Sequence, residues 1–199
     1  MSGRSTTFGG RARDLFSFLI TSVDGYYQGP DGEFDWPVVD AEFSAFSAEQ
    51  LDEADTLLFG RRTYEVMAAY WPQPAAAAED PEVATRMNAL PKLVASGTLE
   101  RADWPGTRVL GEDLEAEITR LKQQPGRKIA VLGSSELTAS LVEWGLLDEL
   151  RIMVSPIALG AGRPVLAGLA RRVSMSLVGA RTFESGNVLH SYRPDTLGS

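Results

Sequence analysis

The 199-residue sequence predicts an α/β fold in which helices cover both faces of a mixed, mostly parallel sheet that ends in an antiparallel hairpin. Three observations carry that prediction. Strand-like apolar runs alternate with helix-period stripes from Leu15 to Val154. The run Ile129 to Leu132 is uniformly apolar, as expected of a parallel strand covered on both faces. After PIALGAGRPVL the helical signal stops, and Arg172 to Phe183 and Val188 to Tyr192 flank Glu184-Ser185-Gly186-Asn187, a hairpin-like turn.

The first strand is expected over Leu15 to Thr21, rich in aromatic and branched residues. The connection after it, SVDGYYQGPDGEFDWP, is long and crowded with glycine, aspartate and aromatics, which makes it a candidate lid. Asp40 to Ala54 carries Phe43, Phe46 and Leu51 at helical spacing, with Asp40 as N-cap. Thr56 to Phe59 reads as a strand, Gly60 as its turn, and Tyr64, Met67, Ala68 and Trp71 as one helical stripe. WPQPAAAAEDPEV reads as a surface connection, followed by a short helix over Val83 to Leu90 and a strand over Lys92 to Ala95. Thr107 to Leu110 is a further strand, and Asp113 to Gln124 a helix stopped by Pro125-Gly126. The clearest unit follows: strand Ile129 to Leu132, turn Gly133-Ser134-Ser135, a helix buried through Leu137, Leu141, Val142 and Trp144, then Leu150, Ile152 and Val154 in alternation. Its two strands are expected to be parallel and central. Residues 1–13 read as a loose tail and 14–194 as one domain.

Composition narrows the chemistry. With 27 acidic against 19 basic residues the formal charge is −8, which disfavours nucleic acid and anionic membrane as partners. No cysteine is present, so disulfides, thiolate catalysis and cysteine-ligated metals are excluded. A cytoplasmic protein fits, since the polar N-terminal stretch does not resemble a signal peptide. An anionic ligand must then be held by local arginines, backbone N–H groups and helix N-termini.

Such donors recur at three strand ends: Gly60-Arg61-Arg62-Thr63, Ser96-Gly97-Thr98 and Gly133-Ser134-Ser135. Ligands of open α/β sheets bind at the carboxyl ends of the strands, and two of these turns open a helix, so a phosphate-bearing ligand suits them. Each turn taken alone also serves as a plain strand-to-helix connection. The GxGxxG and P-loop signatures are absent.

In order, SVDGYYQGPDGEFDW, LLFGRRTYE, VASGTLE, IAVLGSSELTASLVEWGLLDELRI and SPIALGAGRPVL resemble the recurring segments of the dihydrofolate-reductase-like family, which includes the reductase domain of riboflavin biosynthesis. The resemblance spans Leu15 to Tyr192. It implies a three-layer fold, often dimeric, with NADPH lying across the strand ends. By family pattern Gly60, Arg61, Arg62 and Thr63 meet the adenosine phosphates, Ser96 and Thr98 flank the adenine side, and Gly133, Ser134, Ser135 and Leu137 cradle the pyrophosphate. Gly97 departs from the basic residue that relatives often carry there, which leaves the 2′-phosphate of NADPH to Arg61 and Arg62.

A hydride acceptor also needs a proton donor or an orienting carboxylate. Asp40, after Trp36-Pro37, stands where the resemblance places the acid that binds the pteridine ring; it is equally suited to a plain helix cap. Asp24 in SVDG is a second candidate, or a turn former. Trp36 is the aromatic best placed to stack on a flat substrate. Asp31, Glu33, Asp35 and Glu42 have the spacing of a calcium loop, but Trp36 occupies the position that needs glycine, so no metal is expected. His190, the single histidine, reads as an ordinary strand residue.

These readings converge on a cytoplasmic, homodimeric NADPH-dependent reductase of a small pterin-like or aminopyrimidine-like substrate. The alternative is a non-catalytic nucleotide-binding dimeric scaffold that retains the fold.

Overall fold

The computed structural model describes residues 13–111 and 113–195; the expected tail thus lies almost wholly outside the described residues. In chain order the elements are β1 (Leu15–Ser22), β2 (Tyr26–Gln28), α1 (Ala41–Glu53), β3 (Ala54–Gly60), α2 (Arg61–Tyr70), α3 (Pro74–Glu79), α4 (Pro81–Ala89), β4 (Lys92–Ala95) and β5 (Thr107–Leu110). They continue with α5 (Leu114–Gln123), β6 (Lys128–Leu132), α6 (Ser135–Glu143), β7 (Glu149–Ser155), β8 (Arg163–Pro164), β9 (Met175–Thr182) and β10 (Val188–Pro194).

One eight-stranded sheet runs β5-β4-β3-β6-β1-β7-β10-β9, and β2 pairs with β8 in a separate ribbon. From β5 to β7 every pairing is parallel, whereas β10 is antiparallel to both β7 and β9. The expected mixed sheet is therefore present, with β6 and β7 parallel and central. Between them lies β1, which pairs with both.

Alternation along β1 explains the three layers. Phe16 and Phe18 enter a cluster with Phe46 and Leu51 of α1, Tyr64 of α2 and Met87 of α4. Leu15 and Leu19 enter the opposite cluster, with Ile118 of α5 and Leu137 and Leu141 of α6. Full burial of one such side chain contributes about 1.5–3 kcal/mol, so each face of β1 is firmly specified. Ser17 is the polar exception, and its hydroxyl meets Thr138 Oγ1 of α6 at 2.6 Å, which satisfies both buried groups.

Two expectations need correction. The segment expected to be a surface connection contains α3, whose four alanines follow Pro74 at the first turn. Proline is pre-organised there and alanine is the best helix former, but six residues are too few to show a period. The tail boundary also falls late. Arg13 is buried, pairs with Asp55 and donates to the Arg127 carbonyl at 2.8 Å, because it closes the amino ends of β1 and β3.

At the same amino edge Arg151 is buried against Phe16 and bonds Glu53 and Glu149. Burial is the largest single influence and raises both carboxyls, but the hydrogen bonds and charge of Arg151 together with Lys128 outweigh it and hold both below their ordinary values. A carboxyl depressed in the folded state adds stability that is complete above its unfolded pKa and is lost as pH falls through the folded one. Melting temperature is accordingly expected to fall steeply below about pH 4, near the reference value for glutamate. Arg151→Met, which leaves Glu53 and Glu149 to share Lys128 alone, is expected to cost about 3 kcal/mol at neutral pH and to flatten that acid limb in thermal melts.

Candidate functional site

Strand β6 is where the winding of the sheet reverses. The connection leaving β1 runs past β6 to β3, whereas the crossover leaving β6 passes over β1 to β7. Strand ends part at such a point and leave a crevice at their carboxyl edge. The three expected turns stand side by side along it, since Gly60 pairs with Ala95 and Leu58 with Val131 on neighbouring strands.

Ser134 ties two of these turns together. Gly133 and Ser134 are both left-handed, with φ of 65° and 61°, a conformation that costs a serine about 1 kcal/mol. In return the Ser134 side chain reaches back to β3. Its Oγ accepts from the Gly60 N–H at 2.9 Å and donates to Thr63 Oγ1 at 2.8 Å. A Cβ on Gly133 would lie 3.1 Å from Thr63 Cγ2, so the approach leaves little room for a side chain. Ser134 is thus no ordinary cap: α6 and α2 both begin without a side-chain cap bond. Their first-turn N–H groups, with the positive dipole ends, are available to an anion. In the third turn Ser96 Oγ accepts from the N–H groups of Thr98 at 3.2 Å and Leu99 at 2.9 Å.

Around the head of α6 opens a cleft of about 470 Å³ whose lining includes Tyr27, Arg62, Ser135, Glu136 and Arg163. Arg62 lies 3.7 Å from Glu136 and Arg61 lies 3.5 Å from Glu65, both pairs largely solvated. Contacts of that kind contribute little, so both guanidinium groups are free to re-pair with a stronger anion. Ser135 is already committed: its Oγ accepts from the Leu166 N–H at 2.9 Å, which helps hold Leu166 left-handed at φ 54°. Leu137 is buried in the α6 core, so only its backbone is offered to the cleft. Tyr27 is one of the lid aromatics, with Phe34, Tyr26 and Trp36, that could stack on a flat ring, whereas Arg163 is an addition that the sequence reading did not make. Its one visible signal is LGAGRP, whose glycines mark an unusual backbone.

The lid is fastened to the segment after β7. Val23 donates to the Ile157 carbonyl at 2.8 Å, and the Asp24 carboxylate accepts from Ser22 Oγ at 2.6 Å, Leu159 N at 3.1 Å and Gly160 N at 2.7 Å. The Ser22 hydroxyl and the Gly160 amide hold Asp24 below its ordinary pKa, so it is a clasp and a poor proton donor at neutral pH. Gly162 allows β8 to approach β2: with φ 150°, a Cβ there would stand 2.1 Å from the Gln28 carbonyl oxygen. Gly162→Ala is expected to part the ribbon at a cost of about 1–3 kcal/mol. Limited proteolysis is the check, with faster cleavage across residues 23–39 while the core stays protected.

Asp40 caps α1, accepting from the Phe43 N–H through Oδ1 at 2.8 Å, at the carboxyl edge of the sheet. Trp36 meets Phe34 edge to face at 5.5 Å and is half-buried, with no residue of the cleft among its ring partners. The structure thus brings the phosphate-type donors together around α2 and α6. Asp40 and Trp36 belong to α1 and the lid, and α1 shares its core cluster with α2 on the face opposite α6. His190 sits in β10 opposite Ile152 and beside Tyr192, away from these groups.

Comparison with known proteins agrees with this architecture. The Bacillus subtilis protein YyaP, described as uncharacterized, is 29% identical over 178 residues, covering 89% of this chain and 93% of that protein. Among solved structures, a putative riboflavin biosynthesis protein from Shewanella sp. superposes with a TM-score of 0.70 at 21% identity, covering 92% of this chain and 99% of that one. Dihydrofolate reductase from Enterococcus faecalis, complexed with NADP(H), gives a TM-score of 0.61 at 16% identity, with coverage of 92% and 96%. At those identities the likeness establishes a common fold. The profile of the RibD C-terminal domain matches residues 13–189, and the chain therefore belongs to the RibD C-terminal domain family, with a dihydrofolate-reductase-like fold.

Proposed function

We propose that this protein is an NADPH-dependent reductase of a flat heterocycle of the pterin or aminopyrimidine class. One observation carries the reading: Ser134 locks two strand-to-helix turns into a single donor surface, with Arg61 and Arg62 beside it. A phosphate-rich nucleotide suits that surface, and few other ligands of an acidic protein do. When bound, NADPH supplies a hydride from its nicotinamide ring. The chain's own part is to hold and orient. Gly60, Arg61, Arg62 and Thr63 take the adenosine phosphates, Ser96 and Thr98 the adenine side, and Gly133, Ser134, Ser135 and the Leu137 backbone the pyrophosphate. Asp40 orients the substrate or hands it a proton, and Trp36 closes over its ring.

The same reading includes a cytoplasmic homodimer that uses neither nucleic acid nor membrane. Among the described residues, no helix is long and apolar enough to cross a membrane. The test is consumption of NADPH with a panel of pterins, pyrimidines and quinones. Turnover with one member is the expected result. NADPH binding without turnover on any member would favour the scaffold reading, and failure of NADPH to bind would end the nucleotide reading itself.

A further inference from the structure

Among the described residues, the helical layer on one side of the sheet does not reach its outer strands. Helices α5 and α6 bury Leu15 and Leu19 of β1 with Ile129 and Val131 of β6 on that side. Farther out, Ile152 and Val154 of β7 stay partly exposed, although β7 has a strand on either edge. Val154 and its partner Val188 of β10 pack into neither core cluster. Branched apolar residues on an interior strand of an α/β sheet are normally covered, so their openness calls for a physical reason.

Cross-strand register extends the open surface to the edge of the sheet. His190 lies opposite both Ile152 and Ala180, and Tyr192 opposite both Leu150 and Leu177, so these side chains share one face. Exposure rises outward along it, to 58% at Leu177 on the edge strand β9. The reverse face of the same strands is charged and covered: it carries Arg151 paired with Glu149, and Arg181, which meets Glu42 and Glu49 of α1. On the open face none of the three strands presents Asp, Glu, Lys or Arg. In a chain of which 23% is charged, a neutral face three strands wide has the composition of an interface core rather than of solvated surface.

We propose that this face of β7, β10 and β9 is the contact between two copies of the chain, packed sheet on sheet about a two-fold axis. Charge selects the occupant. Each copy carries −8, so two copies repel one another unless they meet where carboxylates are absent, and this face meets that condition. Residues 1–12 and 196–199 hold only Met1, Phe8 and Leu197 as large apolar side chains, too few to cover three strands. Edge-to-edge pairing through β9 is disfavoured, because a bulge opposite Ser191 and Tyr192 interrupts its run of free backbone groups. Strands about 4.8 Å apart, rising about 3.4 Å per residue over about seven residues, present roughly 14 Å by 24 Å, or about 340 Å². Leu169, Val173 and Met175 extend the apolar surface along its border. A stable complex buries about 800 Å² on each partner, so the contact belongs to the reversible, concentration-dependent class. The inference gives a location to the homodimer of the proposed function and rests on that reading for nothing else, since no cofactor-side residue lies on the face.

Sedimentation velocity of the full-length protein across about 1–100 μM is the test, a range that brackets reversible association. The wild type is expected to pass from monomer to dimer within it. Leu177→Asp sets a carboxylate from each copy into the contact and should weaken the dimer about tenfold or more, with the near-UV circular dichroism of the wild type kept because the position is exposed. Val66→Asp on α2, 68% exposed and away from the face, adds the same charge and should leave the dimer unchanged. The chain has no cysteine, so His190→Cys supplies a single thiol in the middle of the face. That thiol should be shielded from a maleimide in the dimer and become reactive when Leu177→Asp is added. A wild type that stays monomeric, a dimer that survives Leu177→Asp or is lost equally with Val66→Asp, or a thiol that stays reactive in the dimer overturns the proposal. Shielding of the thiol in a monomer overturns it too and assigns the face to residues 1–12. NADPH titrated alongside keeps the two readings apart: a monomer that binds NADPH sinks only this contact, whereas a dimer that binds none sinks only the reductase.

Discussion

Asp40→Asn is expected to lower turnover about a hundredfold or more while NADPH affinity barely changes. The substitution is clean because Asn caps a helix as well as Asp does, so the bond to the Phe43 N–H survives and α1 is kept. What disappears is the negative charge and the titratable proton. The other lid acid that the sequence singles out cannot replace it, since Asp24 is held as an anion by Ser22 and Gly160 and spends its oxygens on Leu159 and Gly160. Steady-state rates with the best substrate of the panel, alongside a melting curve, give the answer. An unchanged rate at unchanged stability would reduce Asp40 to the cap that it visibly is.

The second large effect is expected from Arg61→Ala combined with Arg62→Ala, which should weaken NADPH about ten- to hundredfold. A charge-assisted hydrogen bond contributes roughly 1.5–3 kcal/mol, and each 1.4 kcal/mol is about tenfold in affinity. In the free protein both arginines rest on solvated glutamates, so little stability is lost with them. Truncating Arg62 also leaves Glu136 uncompensated at the head of α6, which adds to the loss of an anionic ligand. NADH lacks the 2′-phosphate and should bind the double variant almost as it binds the wild type. Fluorescence titration of both cofactors decides it: equal losses for the two would assign the arginines to the pyrophosphate or to the fold.

Much of the sheet was legible because its signals are local. The apolar run of β6, the alternation of β7 and the period of α6 each lie within a few residues, and so does the Asp40 cap. The place of β1 in the sheet was not legible. Nothing near Leu15 announces that β1 lies between β6 and β7, since that placement is decided by pairings more than a hundred residues apart in sequence. The site divides in the same way. Glycine and hydroxyl residues at strand ends could be read as anion-binding turns, whereas the reach of Ser134 to Gly60 and Thr63 depends on two turns brought together only by folding. Arg163 was missed for a related reason. It is brought to the lid through the β2–β8 ribbon, whose strands of three and two residues are too short to show a period. Asp24 could be read as a turn former but not as a clasp, because its partners lie at Leu159 and Gly160.

That clasp has a thermodynamic corollary. Through Asp24 and the β2–β8 ribbon, the lid and the segment after β7 are hydrogen-bonded into one body, and Ser135 pins that body to the head of α6 through Leu166. A molecule settling under the lid and another settling at α6 therefore press on a shared body. If either shifts it, their affinities are linked, and the factor by which the first alters the second must equal the factor by which the second alters the first.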